Sequence, residues 1–173
     1  VIWGTTFIST KVLLDTFTPL EILFTRFLIG FIALMLLYPR RLRIRNRREE
    51  GLFIAAGLCG ITLYYLLENI ALTMTTASNV GIIITIAPFF TALLSRWFLK
   101  TEKPRAPFYA GFIIAISGVV LISSNGQGFQ GSNMVGDGLA MAAAVMWAAY
   151  SILTRKISDL GYNTIQTTRR TFF

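Results

Sequence analysis

The sequence predicts an all-α integral membrane protein built as a multi-span helical bundle. Three observations predict it. Of 173 residues, 54% are hydrophobic and only 14% charged, against about 25% charged in ordinary soluble domains; the mean hydropathy is +0.64. Five apolar runs approach the roughly 20 residues that a helix needs to cross a hydrocarbon core. The runs are continuous and do not alternate polar with apolar, which favours helices over barrel strands.

The runs are Leu20–Tyr38, Leu52–Leu72, Val80–Leu99, Ala106–Ser124 and Gly136–Leu153. A shorter apolar run, Val1–Leu14, precedes them. With no initiating Met and no basic leader, it is expected to be the outer part of a helix that begins before Val1. A signal peptide is disfavoured, because the basic n-region and small-residue cleavage site are both absent.

The connections alternate in charge. "DTFTP", "MTTAS" and "SSNGQGFQGSNMVGD" carry no base, whereas "PRRLRIRNRREE", "KTEKPRAP" and "RKISDLGYN" are basic. Successive spans must alternate sides, so the count of spans and the positive-inside rule check each other. The N-terminus and the segment after Leu153 are expected inside. The net charge of +8 would prompt a nucleic-acid partner in a soluble protein. Here Arg40, Arg41, Arg43, Arg45, Arg47 and Arg48 read as one cytoplasmic loop beside a lipid bilayer, and no nucleic acid is expected.

The chain also repeats itself. "WGTTFISTK" starts at Trp3 and "WAAYSILTR" at Trp147. One period contains five spans, an odd number, so the second copy is inserted upside down. That is the signature of an inverted-topology repeat. The same offset sets "FTRF", with Arg26, against "TRRT", with Arg170. The tail after Gly161 is therefore expected to open a seventh helix. Residues 1–134 form the first repeat and residues 135–173 the start of the second.

Trp3-Gly4, Arg26, "ENIALTMT", Pro88, "GFIIAISGVVLI" and "GLAMAAAVMWAAYSILTRKI" together resemble the EamA-type family of the drug/metabolite transporter superfamily. Glu68 departs from the family pattern, which is more apolar there. The resemblance implies ten helices in two inverted halves of five. It also implies a bacterial cytoplasmic membrane and export of amino acids or related small metabolites by alternating access.

Charged side chains within lipid are costly, about 2.5–3.5 kcal/mol at a helix centre on the translocon scale, and tend to face a bundle interior. Arg26 and Glu68 are the two candidates. Both fall in the outer half of antiparallel spans, so an ion pair between them is within geometric reach. Two readings stand: a polar centre for a charged or zwitterionic small-molecule substrate, or a static pair fixing helix register. Lys11 is expected to snorkel to the outer interface, toward Glu21.

Gly57, Gly60, Tyr64 and Glu68 follow helical spacing, with Asn69 on an adjoining face. In the fourth span Ser78, Gly81, Thr85, Pro88, Ala92 and Ser95 form a small-residue stripe, and Pro88 should kink the helix. The kink reads as a hinge or as a tolerated bend. Trp147, with Tyr150 one turn on, and Trp3 in the inverted copy sit at matching depths, as path-lining aromatics or as core. The substrate-path candidates are thus Trp3, Arg26, Tyr64, Glu68, Pro88, Trp147, Tyr150 and Arg170.

No cofactor, metal site or enzymatic constellation is expected. The chain has no histidine, one cysteine (Cys59) and no Gly-rich loop with Lys, so Ser–His chemistry, His/Cys metal clusters and direct use of ATP lack their residues. The alternative to a transporter is a non-transporting membrane scaffold or assembly protein. A homodimer is left open.

Overall fold

The computed structural model describes residues 2–39, 42, 46–99, 105–127 and 133–172, and side chains over the same residues except 2–4 and 119–127. Seven helices form among them: α1 (Ile2–Leu13), α2 (Pro19–Leu37), α3 (Arg47–Met74) and α4 (Ala77–Phe98), α5 (Ala106–Gln127), α6 (Met134–Ser158) and α7 (Thr164–Phe172). Four of them, α2, α3, α4 and α6, are long and apolar enough to cross a membrane. The sequence led us to expect five such runs; the fifth is the 22-residue α5, whose side chains beyond Gly118 lie outside the described residues.

The starts and breaks have local causes. Thr18 caps α2 in a reciprocal capping box: Glu21 N–H donates to Thr18 Oγ1 (3.3 Å) and Thr18 N–H to Glu21 Oε2 (2.8 Å). Pro19 takes the first turn, where its missing N–H costs nothing. Glu21 is thereby committed to its own helix, and Lys11 goes elsewhere than expected. Its Nζ donates to the carbonyls of Leu72 and Thr75 (3.1 Å to the latter), placing a cation on the last carbonyls of α3.

α4 breaks where Pro88 requires. The helical segments are Ala77–Ile84 and Ala87–Phe98. Between them Thr85 N–H is shared between the carbonyls of Gly81 (3.2 Å) and Ile82 (3.1 Å), and Ile86 N–H goes to Ile83 (3.1 Å), a tightened turn. After α6 the chain reverses through Gly161, whose φ of +74° is open to glycine at little cost.

α6 is the central pillar. α3 and α4 pack along it, and α7 packs against α2 and the first part of α3. The buried face of α6 is Gly136, Ala140, Ala143, Ala144, Ala148, Ile152 and Ile157. Helices in lipid gain little from burying apolar surface, so association depends on close fit, which small residues permit. A Cβ on Gly136 would stand 2.9 Å from Met74 Cβ. At the other end Phe53 and Ala56 of α3 pack with Ile157, so α3 and α6 run antiparallel. The opposite extreme is α2, on which Ile22 is the buried residue while Phe24, Leu36 and Leu37 are 64–79% exposed.

Candidate functional site

The third helix supplies the centre of the site. Leu58–Leu63 form a π turn, closed by Tyr64 N–H on the carbonyl of Cys59. Such turns rotate the residues that follow, and they recur at functional sites. Beyond it come Tyr64 (2% exposed) and Glu68 (1%), one helical turn apart and interacting through their side chains. Gly60 explains how the neighbour gets so close: a Cβ there would lie 2.2 Å from the Tyr150 ring.

An aromatic row crosses the bundle at this level. Phe172 of α7 meets Phe27 of α2 edge-on (5.3 Å between centroids), and Phe27 meets Tyr65 of α3 (5.0 Å). Tyr65 meets Tyr64 (4.8 Å), Tyr64 meets Trp147 of α6 (4.9 Å), and Trp147 meets Tyr150 (5.4 Å). Rings in such tilted or edge contacts attract by about 0.5–1.5 kcal/mol beyond their burial. Arg26 lies over the Tyr65 face at 5.2 Å, a cation–π arrangement. Its Nη1 is buried without a hydrogen-bond partner.

Arg26 and Glu68 are drawn into one electrostatic neighbourhood with Tyr64 and Tyr65, but they form no direct ion pair, unlike Arg170 and Glu50. The guanidinium engages the Tyr65 ring instead, because Tyr65 occupies the α3 face that meets α2. Asn69, 1% exposed, reaches the Pro19 carbonyl with Nδ2 (3.1 Å) and leaves Oδ1 unpartnered.

Five of the eight candidates, Arg26, Tyr64, Glu68, Trp147 and Tyr150, therefore come together. Three do not. Pro88 is on an exposed flank of α4, as are Ser78 and Thr85, whereas Val80, Ile84 and Ala87 face inward; Gly81, Ala92 and Ser95 of the small-residue stripe are half-buried. Trp3 belongs to the α1 backbone, and its side chain is outside the described residues. Arg170 is at the far end of the molecule, paired with Glu50.

That end holds a clasp. Arg169 Nη1 donates to the Tyr38 carbonyl (2.6 Å) and Tyr162 Oη to Glu49 Oε2 (2.6 Å), beside Arg170–Glu50. The ends of α2 and α6 and the start of α3, all flanking basic connections, meet there. The opposite end is tied by Lys11 and by Thr75, whose Oγ1 donates to Asp137 Oδ1 (3.0 Å) and accepts from Asn79 Nδ2 (3.3 Å).

Tyr65, Glu49, Glu50 and Asp137 were missed as contributors. The signal for Tyr65 was the pair "YY" itself: in a helix packed on two sides, adjacent aromatics serve two neighbours.

Comparison with known proteins follows the same lines. Residues 1–124 match the model of the EamA-like transporter family. An uncharacterized transporter of Archaeoglobus fulgidus is 32% identical over 161 residues, covering 91% of this chain and 55% of its own. The uncharacterized transporter YdfC of Bacillus subtilis is 29% identical, covering 93% and 53%. A probable terminal-alkyne amino-acid exporter of Streptantibioticus cattleyicolor is 27% identical, covering 91% and 52%. The chain thus spans about half the length of the curated relatives it matches. No solved structure matches it. With a family model matched over most of its residues and an all-helical bundle with membrane-crossing helices, the chain belongs to the EamA-like transporter family, a family of transporters and not of enzymes.

Proposed function

We propose that this chain supplies one half, and the beginning of the other, of a secondary transporter that exports an amino acid-like metabolite by alternating access. The observation that carries the reading is the convergence of Arg26 and Glu68 inside membrane-crossing helices, on an aromatic row that joins α7, α2, α3 and α6. A cation and a carboxylate in one neighbourhood match the two charges of a zwitterion, and Tyr64, Tyr65 and Trp147 supply apolar walls with polar edges. The amino-acid exporter among the relatives supports this substrate class.

Residues 1–134 and 135–173 are proposed as inverted repeats. Arg26 stands seven residues beyond the first residue of α2 and Arg170 six beyond that of α7. Inverted copies place such mates in opposite halves of the membrane. The clasp joins the start of the second repeat to the first at what we take to be the cytoplasmic end of a bacterial inner-membrane protein. Made, it closes that side; broken, it lets the halves rock.

Counterflow of amino acids into proteoliposomes of the full-length protein tests the reading. Glu68→Gln is expected to reduce counterflow about tenfold, as losing some 1.4 kcal/mol of binding does. If a variant with both Arg26 and Glu68 replaced by apolar residues retains the cellular function of the parent, the charges are architectural and the scaffold reading replaces this one.

A further inference from the structure

Two side-chain atoms, Arg26 Nη1 and Asn69 Oδ1, are buried without a hydrogen-bond partner among the described residues. Both belong to the seam between α2 and α3. Arg26 of α2 lies over the Tyr65 ring. Asn69 of α3 is one helical turn beyond Tyr65, about 6 Å of rise, and its Nδ2 donates to the Pro19 carbonyl at the start of α2 (3.1 Å). We propose that the two atoms are the two ends of one site, which takes the head group of an α-amino acid. Arg26 Nη1 donates to the carboxylate, and Asn69 Oδ1 accepts from the primary ammonium. This rests on the function proposed above and adds to it a substrate-contacting residue, Asn69.

The bond to Pro19 settles which way the Asn69 amide faces. A carbonyl can only accept, so Nδ2 points to Pro19 and the atom left over is the acceptor, Oδ1. Asn69 is 1% exposed. Burying an acceptor without a donor forfeits what the bond to Pro19 gains, so tying α3 to α2 does not by itself account for an asparagine here. Arg26 is the complementary case. The Tyr65 ring meets the charge of its guanidinium but not the donor at Nη1. A donor and an acceptor about one turn apart suit a head group whose carboxylate and ammonium share one carbon. A carboxylate alone or an amine alone leaves one of the two atoms unmatched, and sites with buried polar groups reject such analogues strongly. Glu68, the residue before Asn69, interacts with the Tyr64 side chain and supplies the negative charge that balances the ammonium; Asn69 supplies a neutral acceptor for one of its three N–H groups. Both atoms are sealed by residues of this chain itself, and no exposed face is involved. Entry requires α2 and α3 to part, a movement of the kind that alternating access supplies.

The test is counterflow of labelled amino acids in proteoliposomes of the full-length protein. The probes are the protein amino acids, each set against the carboxylic acid of the same skeleton that lacks the ammonium, added as a competitor. Preference is read as KM for the amino acid against Ki for its competitor. The parent is expected to favour the amino acid. Asn69→Leu is expected to cut that preference about tenfold, through KM for the amino acid and not through Ki. Asn69→Asp, which keeps an acceptor at the same place, is expected to retain most of it. If Asn69→Leu does not fold, Asn69→Ser, too short to reach the same point, decides in its place. A parent indifferent to the ammonium overturns the proposal. So does a preference that survives loss of the acceptor, which would assign Oδ1 to a buried water. An equal weakening of amino acid and competitor in the leucine and aspartate variants also overturns it, and makes Asn69 architectural. Absence of amino-acid counterflow in the parent overturns the function proposed above together with this site; counterflow with an unaltered preference overturns this site alone.

Discussion

Lys11 shows how one side chain can be misread when only its charge is considered. Glu21, the partner its charge suggested, is engaged in the Thr18 capping box, and the ammonium bonds the carbonyls of Leu72 and Thr75. Cations at helix C-termini contribute about 0.3–1 kcal/mol at exposed sites and up to about 2 when partly buried. Lys11→Met is therefore expected to lower the thermal midpoint in detergent by an amount within that range, and Glu21→Gln to act through α2 alone. Arg26 and Glu68 were legible from sequence because charge inside an apolar run is rare. Their actual partners were not. Whether Arg26 meets Glu68 or Tyr65 depends on the rotation of α3 against α2, which the π turn sets.

At the scale of elements, glycines decide contacts that apolar patterning leaves open. Gly60 admits the Tyr150 ring and Gly57 the Thr171 carbonyl, where added Cβ atoms would stand at 2.2 and 2.6 Å. Gly60→Val is expected to separate α3 from α6 and cost about 1–3 kcal/mol or more, as overpacking does, with a matching fall in thermal midpoint. Gly51, whose Cβ would meet nothing within 4 Å, is the control, and Gly51→Ala should be neutral or slightly stabilising. Pro88 acts on its helix and not on the aromatic row. Pro88→Ala restores the N–H that Pro88 lacks and lets Ile86 N–H return to the α-helical pattern. Amide exchange at Ile86 is expected to slow in the variant; unchanged exchange would show that the break is imposed by packing against α6.

For the whole molecule, the two tied ends differ in strength. The Arg170 and Glu50 side chains are 33% and 43% exposed, and pairs of that kind are worth about 0.2–1 kcal/mol. That suits the contact made and broken in the proposed transport cycle. If the proposed orientation holds, Arg170→Glu should leave this end open, raising the labelling of a cysteine placed at Thr167 by a membrane-impermeant reagent from the cytoplasmic side. Adding Glu50→Arg should restore the parent's labelling. Restoration failing while the protein remains folded would mean that Arg170–Glu50 is not a closing contact.

The sequence by itself determined the helical class, the places where spans begin and end within a few residues, the break at Pro88 and the family. These follow from local composition: the length of apolar runs, a missing N–H and the alternation of loop charge act on neighbours along the chain. It also picked out Arg26, Tyr64, Glu68, Trp147 and Tyr150, because polar or aromatic residues stand out in apolar runs. Only the tertiary structure decided that these five meet, that Tyr65 joins them, that Arg170 serves the far end, and that Pro88 lies on an exposed flank of α4. The physical reason is that membrane helices associate through close fit and not through the burial of an apolar stripe. When nearly every face is hydrophobic, the pattern no longer says which face turns inward. That is fixed by glycine and alanine positions, the π turn and the hydrogen bonds at each end, all of which act across helices.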